Sequence, residues 1–166
     1  MSSLAGNLLV ARAALLDGFF GRSVILVLQH SEDGALGLVL NRPAQAKELP
    51  FPVFLGGPCK MDGLLMIHGR KDWLPEDGDG NLEVCPGVYL GTAEQFEKAT
   101  EEGETSSDQF RVFAGYAGWG PSQLEAEMLQ DAWIVLPGSG TIIFETPVQE
   151  LWETLAPPTL PQPSMN

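Results

Sequence analysis

Positive charge is scarce in this chain. Of 166 residues only 9 are Lys or Arg, against 22 Asp or Glu, a formal net charge of −13. Phosphate backbones are held by clustered Lys and Arg, and no such run exists here. The composition therefore argues against direct nucleic-acid binding, and an anionic membrane would repel it. The imbalance is also local. Residues 1–71 carry 7 basic and 5 acidic side chains, and residues 72–166 carry 2 (Lys98, Arg111) and 17. That acidic half fits a solvated surface or a cationic partner.

Cysteine and histidine are nearly absent. Cys59 and Cys85 form no C-x-x-C pair, which excludes a disulfide scaffold and a zinc framework. His30 and His68 are the two histidines. Long apolar runs are missing too. The longest unbroken ones, such as residues 24–28, are five residues, far too short to span a bilayer. The N-terminus lacks a basic leader region, and Arg12 and Asp17 interrupt its apolar stretches. The expectation is a cytoplasmic protein with reduced thiols, no membrane association, no metal and no cofactor.

What is present suits a folded domain. A 44% hydrophobic fraction over this length can bury a real core. Residues 1–156 read as one domain and the proline-rich residues 157–166 as a mobile tail. Residues 23–30 (SVILVLQH) and 35–40 (ALGLVL) are strand-like and flank the turn Ser31-Glu32-Asp33-Gly34, predicting a hairpin. Asn41-Arg42-Pro43 ends the second strand, because proline cannot continue a central one. Further strands are predicted over 52–55, 64–68, 88–91, 111–114 and 133–136. A helix is predicted over 92–102, opened by a Thr92/Gln95 capping box and closed by Gly103. A short one starts at Thr146-Pro147 and ends near Leu155. Hairpin groups with late helices point to an α+β fold around a mostly antiparallel sheet.

The densest local pattern is residues 115–127, GYAGWGPSQLEAE. Its glycines allow backbone angles other residues resist, and Pro121 suits a first helical turn. The segment reads as a strand end, a glycine turn and a helix with Leu124 and Met128 on one face. Gly115, Gly118 and Gly120 follow G-x-x-G-x-G spacing, not that of a dinucleotide fingerprint, and no Walker lysine follows. Tight-turn packing is the stronger reading. Trp119 suits core packing better than base stacking. Gln123, Glu125 and Glu127 alternate around the helix, so Glu125 faces differently from the other two. Either it meets a ligand or acts as a base, or it caps backbone or pairs with Arg42.

Other constellations are weaker. Asp77-Gly78-Asp79-Gly80-Asn81 imitates a calcium loop but has Leu82 and Val88 where glycine and glutamate are needed. Ser139 sits in Pro137-Gly138-Ser139-Gly140 without a helix-forming sequel, so it is not a nucleophile elbow. Cys59 beside Lys60 is the better candidate for a reactive thiol, with His30 or His68 as a base.

Several segments in order resemble the YqgE/AlgH family. They are Leu8-Leu9-Val10-Ala11, Ser23-Val24-Ile25 with His30, and Gly34 through Pro43. Gly56-Gly57-Pro58, His68, the GYAGWGPSQLEAE segment and Trp133 follow. The resemblance spans about residues 8–155. It implies a bacterial α+β fold whose sheet bifurcates into a pseudo-barrel with a few flanking helices. It brings no catalytic residue or cofactor, and one branch is labelled a transcriptional regulator. Two positions depart from the pattern. Cys59 stands where Val or Leu is commoner, and Ser122 where glycine is usual, which implies that this position needs no positive φ.

The resulting expectation is a non-enzymatic binding or regulatory module acting through a protein or small molecule. Asn41, Arg42, Gly57, His68, Trp119, Gln123 and Glu125 are its candidate contact residues. They lie on the 41–43, 56–58 and 115–125 segments, which should converge, and on His68. A thiol- or His-dependent enzyme or redox-responsive protein using Cys59 or His68 is the alternative.

Overall fold

A computed structural model describes residues 3–12, 21–44, 51–74, 82–102 and 109–156. The calcium-like loop, Gly103 and the proline-rich tail lie outside them. The strands are β1 (Asn7–Ala11), β2 (Val24–Ser31), β3 (Gly34–Val39), β4 (Pro43–Ala44), β5 (Val53–Leu55) and β6 (Leu65–His68). They continue with β7 (Glu83–Cys85), β8 (Val88–Leu90), β9 (Phe110–Ala114), β10 (Ala117–Trp119) and β11 (Trp133–Pro137). The helices are α1 (Ala93–Glu102), α2 (Gln123–Leu129), α3 (Gly140–Glu145) and α4 (Leu151–Leu155).

The α+β class is as expected. The strands form two sheets rather than a closed barrel, one in the order β10-β3-β2-β1-β11 and one in the order β4-β5-β9-β6-β8-β7. Only β5 and β9 pair in parallel among the described residues. Side-chain alternation then explains the layers. On the first sheet Leu8, Val10, Val24, Leu26 and Leu38 face inward and meet Phe54, Ile67, Val88 and Phe113 of the second. Residues of opposite parity, Leu9, Ile25, Val27 and Val39, face out and are covered by Leu124 of α2 with Trp119 and Trp133. Likewise Val53, Met66, Phe110 and Val112 face out from the second sheet, under Phe96 and Ala99 of α1 and Trp73. The order is α2, sheet, sheet, α1. Both faces of β2 are buried, so VILV shows no polar alternation.

The β2–β3 hairpin closes as predicted, with Ser31 opposite Gly34 and a bulge between Val27 and Gln29. The capping box of α1 is also present. Gln95 N–H donates to Thr92 Oγ1 at 3.1 Å, and Thr92 N–H to Gln95 Oε1 at 3.0 Å.

Three expectations are corrected. The glycine segment is not one turn, because residues 117–119 form β10 against β3. Ser139 does precede a helix: its Oγ accepts from Ile142 N–H at 3.2 Å and caps α3. The Gly-Thr-Ile-Ile start is a poor helix former, and burial of Ile143 overrides it. Ser122 does need a positive φ. Its φ is 65°, a left-handed conformation that strains a non-glycine residue by about 1–2 kcal/mol.

Candidate functional site

The three segments expected to converge do so, through backbone. Leu55 N–H donates to Arg42 O at 2.7 Å, Val39 N–H to Gly56 O at 2.8 Å, and Gly56 N–H to Ala114 O at 2.8 Å. Cys59 and Tyr116 exchange both backbone hydrogen bonds, at 2.9 and 3.0 Å. A methyl group on Gly57 would overlap the Tyr116 carbonyl and the Ala117 nitrogen. Gly115 turns with φ +76°, and a side chain there would lie 2.7 Å from Gly57 O. Asn41 extends the ladder as a mimic of backbone: its Oδ1 accepts from Val24 N–H at 3.0 Å and its Nδ2 donates to Arg22 O at 2.9 Å. This junction is a weave of closely approaching backbone.

On α2 the alternation predicted for Gln123, Glu125 and Glu127 holds. Gln123 Oε1 accepts from Gly120 N–H at 2.9 Å, and its Nε2 donates to Glu127 Oε2 at 3.4 Å. Glu127 Oε1 accepts from two indoles, Trp119 Nε1 at 3.0 Å and Trp133 Nε1 at 2.8 Å. Trp119 is only 6% exposed, so it is a core residue. Glu125 points the other way and meets His30, not Arg42, with Oε2 3.0 Å from Nε2. Its own backbone N–H, then the His30 hydrogen bond, hold its carboxyl below the usual range. His30 Nδ1 accepts from Leu4 N–H at 2.9 Å, which leaves Nε2 as the donor to Glu125. Ser3, His30, Ser31, Glu32 and Glu125 line a hollow of about 290 Å³ there.

His68 is fully buried. Its Nδ1 accepts from Arg70 N–H at 3.1 Å, so Nε2 carries the proton and donates to Gln95 Oε1 at 3.0 Å. Gln95 Nε2 donates onward to Trp73 O at 2.8 Å. The imidazole thus fastens β6 to the start of α1. Burial lowers its pKa from 6.5, opposed by the Gln95 bond. Below about pH 6.5 the unfolded chain takes up a proton that the folded chain refuses, so stability falls as pH drops from there towards the lowered folded value. The urea midpoint should therefore decline from about pH 7 to about pH 5.5, and decline less in His68→Gln. Equal declines in the two proteins would refute that role.

Neither histidine can serve a thiol as base in this arrangement, because all four ring nitrogens are engaged elsewhere. The buried Cys85 thiol is pushed up to about 11, mainly by burial and further by Glu83, which keeps it protonated at neutral pH. Cys59 is half-buried. Among the described residues no group of three or more His, Cys, Asp or Glu is placed to hold a metal ion, and no helix is long and apolar enough to cross a membrane.

A larger concavity lies elsewhere among the described residues. A cleft of about 740 Å³ opens between residues 61–66 and the first turns of α1. Met61, Leu64, Leu65, Met66 and Phe96 give it apolar walls, and Asp62, Thr92 and Glu97 stand in its lining. Leu64 is 42% exposed at its mouth. None of its apolar residues was a candidate from sequence. They are ordinary apolar residues on two segments far apart in the chain, and no spacing rule joins them.

Comparison with known proteins agrees with this fold. The family described as DUF179, AlgH-like, matches residues 8–159. A UPF0301 protein of Chlorobaculum tepidum is 35% identical over 157 residues, covering 89% of this chain and 82% of that protein. One of Nitrosococcus oceani is 33% identical, covering 94% and 89%. The solution structure of the AlgH protein from Pseudomonas aeruginosa superposes with a TM-score of 0.68 at 26% identity, covering 92% of this chain and 87% of that one. Protein DIP2367 from Corynebacterium diphtheriae shares the fold, with a TM-score of 0.75 at 22% identity, covering 97% and 91%.

Proposed function

Since this chain belongs to the AlgH-like family, we propose that it is a cytoplasmic, non-enzymatic binding module whose ligand enters the cleft between residues 61–66 and α1. The observation that supports this is the cleft itself. It is open, mostly apolar, and edged by a few polar groups, as binding sites are. Two methionines in its walls give a surface that adapts to its guest. Both imidazoles are engaged by hydrogen bonds and the Cys85 thiol by its protonation, which leaves the half-buried Cys59 without a histidine base. The acidic surface argues for regulation through a partner rather than through DNA.

Nile red, an uncharged dye that brightens in apolar surroundings, tests the cleft. Wild type should bind it, and Leu64→Asp should abolish the signal. Because Leu64 is partly exposed, its replacement should leave the urea midpoint nearly unchanged. Undiminished dye binding by a folded Leu64→Asp protein would remove the proposal.

A further inference from the structure

Resting on that reading, we infer that the cleft takes a basic amphipathic segment of a protein partner, with apolar side chains in the cleft and Lys or Arg along α1. The observation is charge placed beside apolar surface. Glu94, Glu97 and Glu101 are exposed and recur at three- and four-residue spacing, so they share one stripe of α1. Glu97 of that stripe lines the cleft, and Asp62 adds a carboxylate from the opposite wall. Lys98 adjoins Glu97 and Lys60 lies two residues before Asp62, but neither is in the lining.

The stripe runs roughly 10 Å along the helix, about two turns of a helical ligand. Apolar anchors at i and i+4 entering such a groove, with cations on the flank, are the ordinary mode of helix-in-groove recognition. An anionic or fatty-acid ligand would place its carboxylate against these glutamates, and a neutral one would leave the stripe without a role. Complementary charge also speeds encounter and makes it salt-dependent.

The experiment uses two labelled probe peptides with leucines at helical spacing, one with lysines between them and one with glutamates. Fluorescence anisotropy should show the lysine peptide binding wild type and the glutamate peptide failing. The combined variant Glu94→Gln, Glu101→Gln, which leaves the cleft lining intact, should weaken the lysine peptide by roughly five-fold while Nile red binding persists. Leu64→Asp should abolish both.

Nile red bound but both peptides rejected would overturn the peptide inference and leave the cleft standing. Loss of neither probe in Leu64→Asp would overturn both. Unchanged lysine-peptide affinity in the glutamine variant would show that attraction comes from elsewhere on the acidic surface, and would also overturn the inference. So would self-association of wild type that Leu64→Asp abolishes, since the cleft would then be filled by a second copy.

Discussion

Gly57→Ala is expected to cost more than about 4 kcal/mol, enough to leave little folded protein. The added methyl meets no flexible side chain that might swing aside. It meets the carbonyl carbon and oxygen of Tyr116 and the nitrogen of Ala117, all backbone. That backbone is itself fixed: Tyr116 is bonded to Cys59 on both sides, and Ala117 begins β10, opposite Gly37 of β3. Relief would need one of two sheets to move. Gly118→Ala is the control within the same motif. Its methyl would lie 3.4 Å from the Tyr116 ring and 3.6 Å from Cys59 Sγ, ordinary contact distances, and it should fold. Urea unfolding of the two variants measures the difference. A Gly57→Ala protein within about 1 kcal/mol of wild type would mean that the segment at 56–58 slides freely.

Glu127→Ala is expected to cost about 3 kcal/mol. One carboxylate oxygen accepts from two tryptophans, and both indoles are almost wholly buried, 6% and 2% exposed. Removing the acceptor strands two N–H donors away from water, and each stranded donor costs about 1–3 kcal/mol. The rings also meet edge-on, with centroids 6.4 Å apart, so they should loosen together. Glu127→Gln keeps an acceptor oxygen and should lose about 1 kcal/mol. Urea denaturation with near-ultraviolet circular dichroism reports both stability and indole packing. An alanine variant that loses under about 0.5 kcal/mol with an unchanged tryptophan spectrum would contradict the clamp.

Local chemistry was legible in the sequence. The β2–β3 hairpin announces itself by a turn between β-branched runs, and α1 by Thr92 and Gln95. The two-faced burial of β2 follows from VILV carrying no polar residue. What escaped depends on distant partners. β10 has three residues, two of them small, and shows no period of its own; only its register with β3 makes it a strand. Glu125 meets His30 across 95 positions of chain, and no charge rule favours that histidine over Arg42. Ser122 kept a strained φ because the strand–helix geometry fixes the angle whatever residue sits there. Glu127 was visible as a helix-face neighbour of Gln123, but that it joins two tryptophans was not. The cleft was invisible because its walls come from two segments brought together by the pairing of β6 with β8 and the Gly91–Met66 backbone bond beside it.

The pairing of β1 with β11, Asn7 opposite Pro137 through Ala11 opposite Trp133, sets an order of events at the ribosome. β1 emerges first, yet it lies in the interior of its sheet, between β2 and β11. No nascent chain ending before residue 133 can complete that sheet. Until then the strand has one hydrogen-bonding edge open, and edges of that kind recruit foreign strands. The indole of Trp152, which donates to Ala11 O at 2.7 Å, arrives later still. The sheet therefore closes on β1 late, and that strand keeps an open edge until β11 has been made.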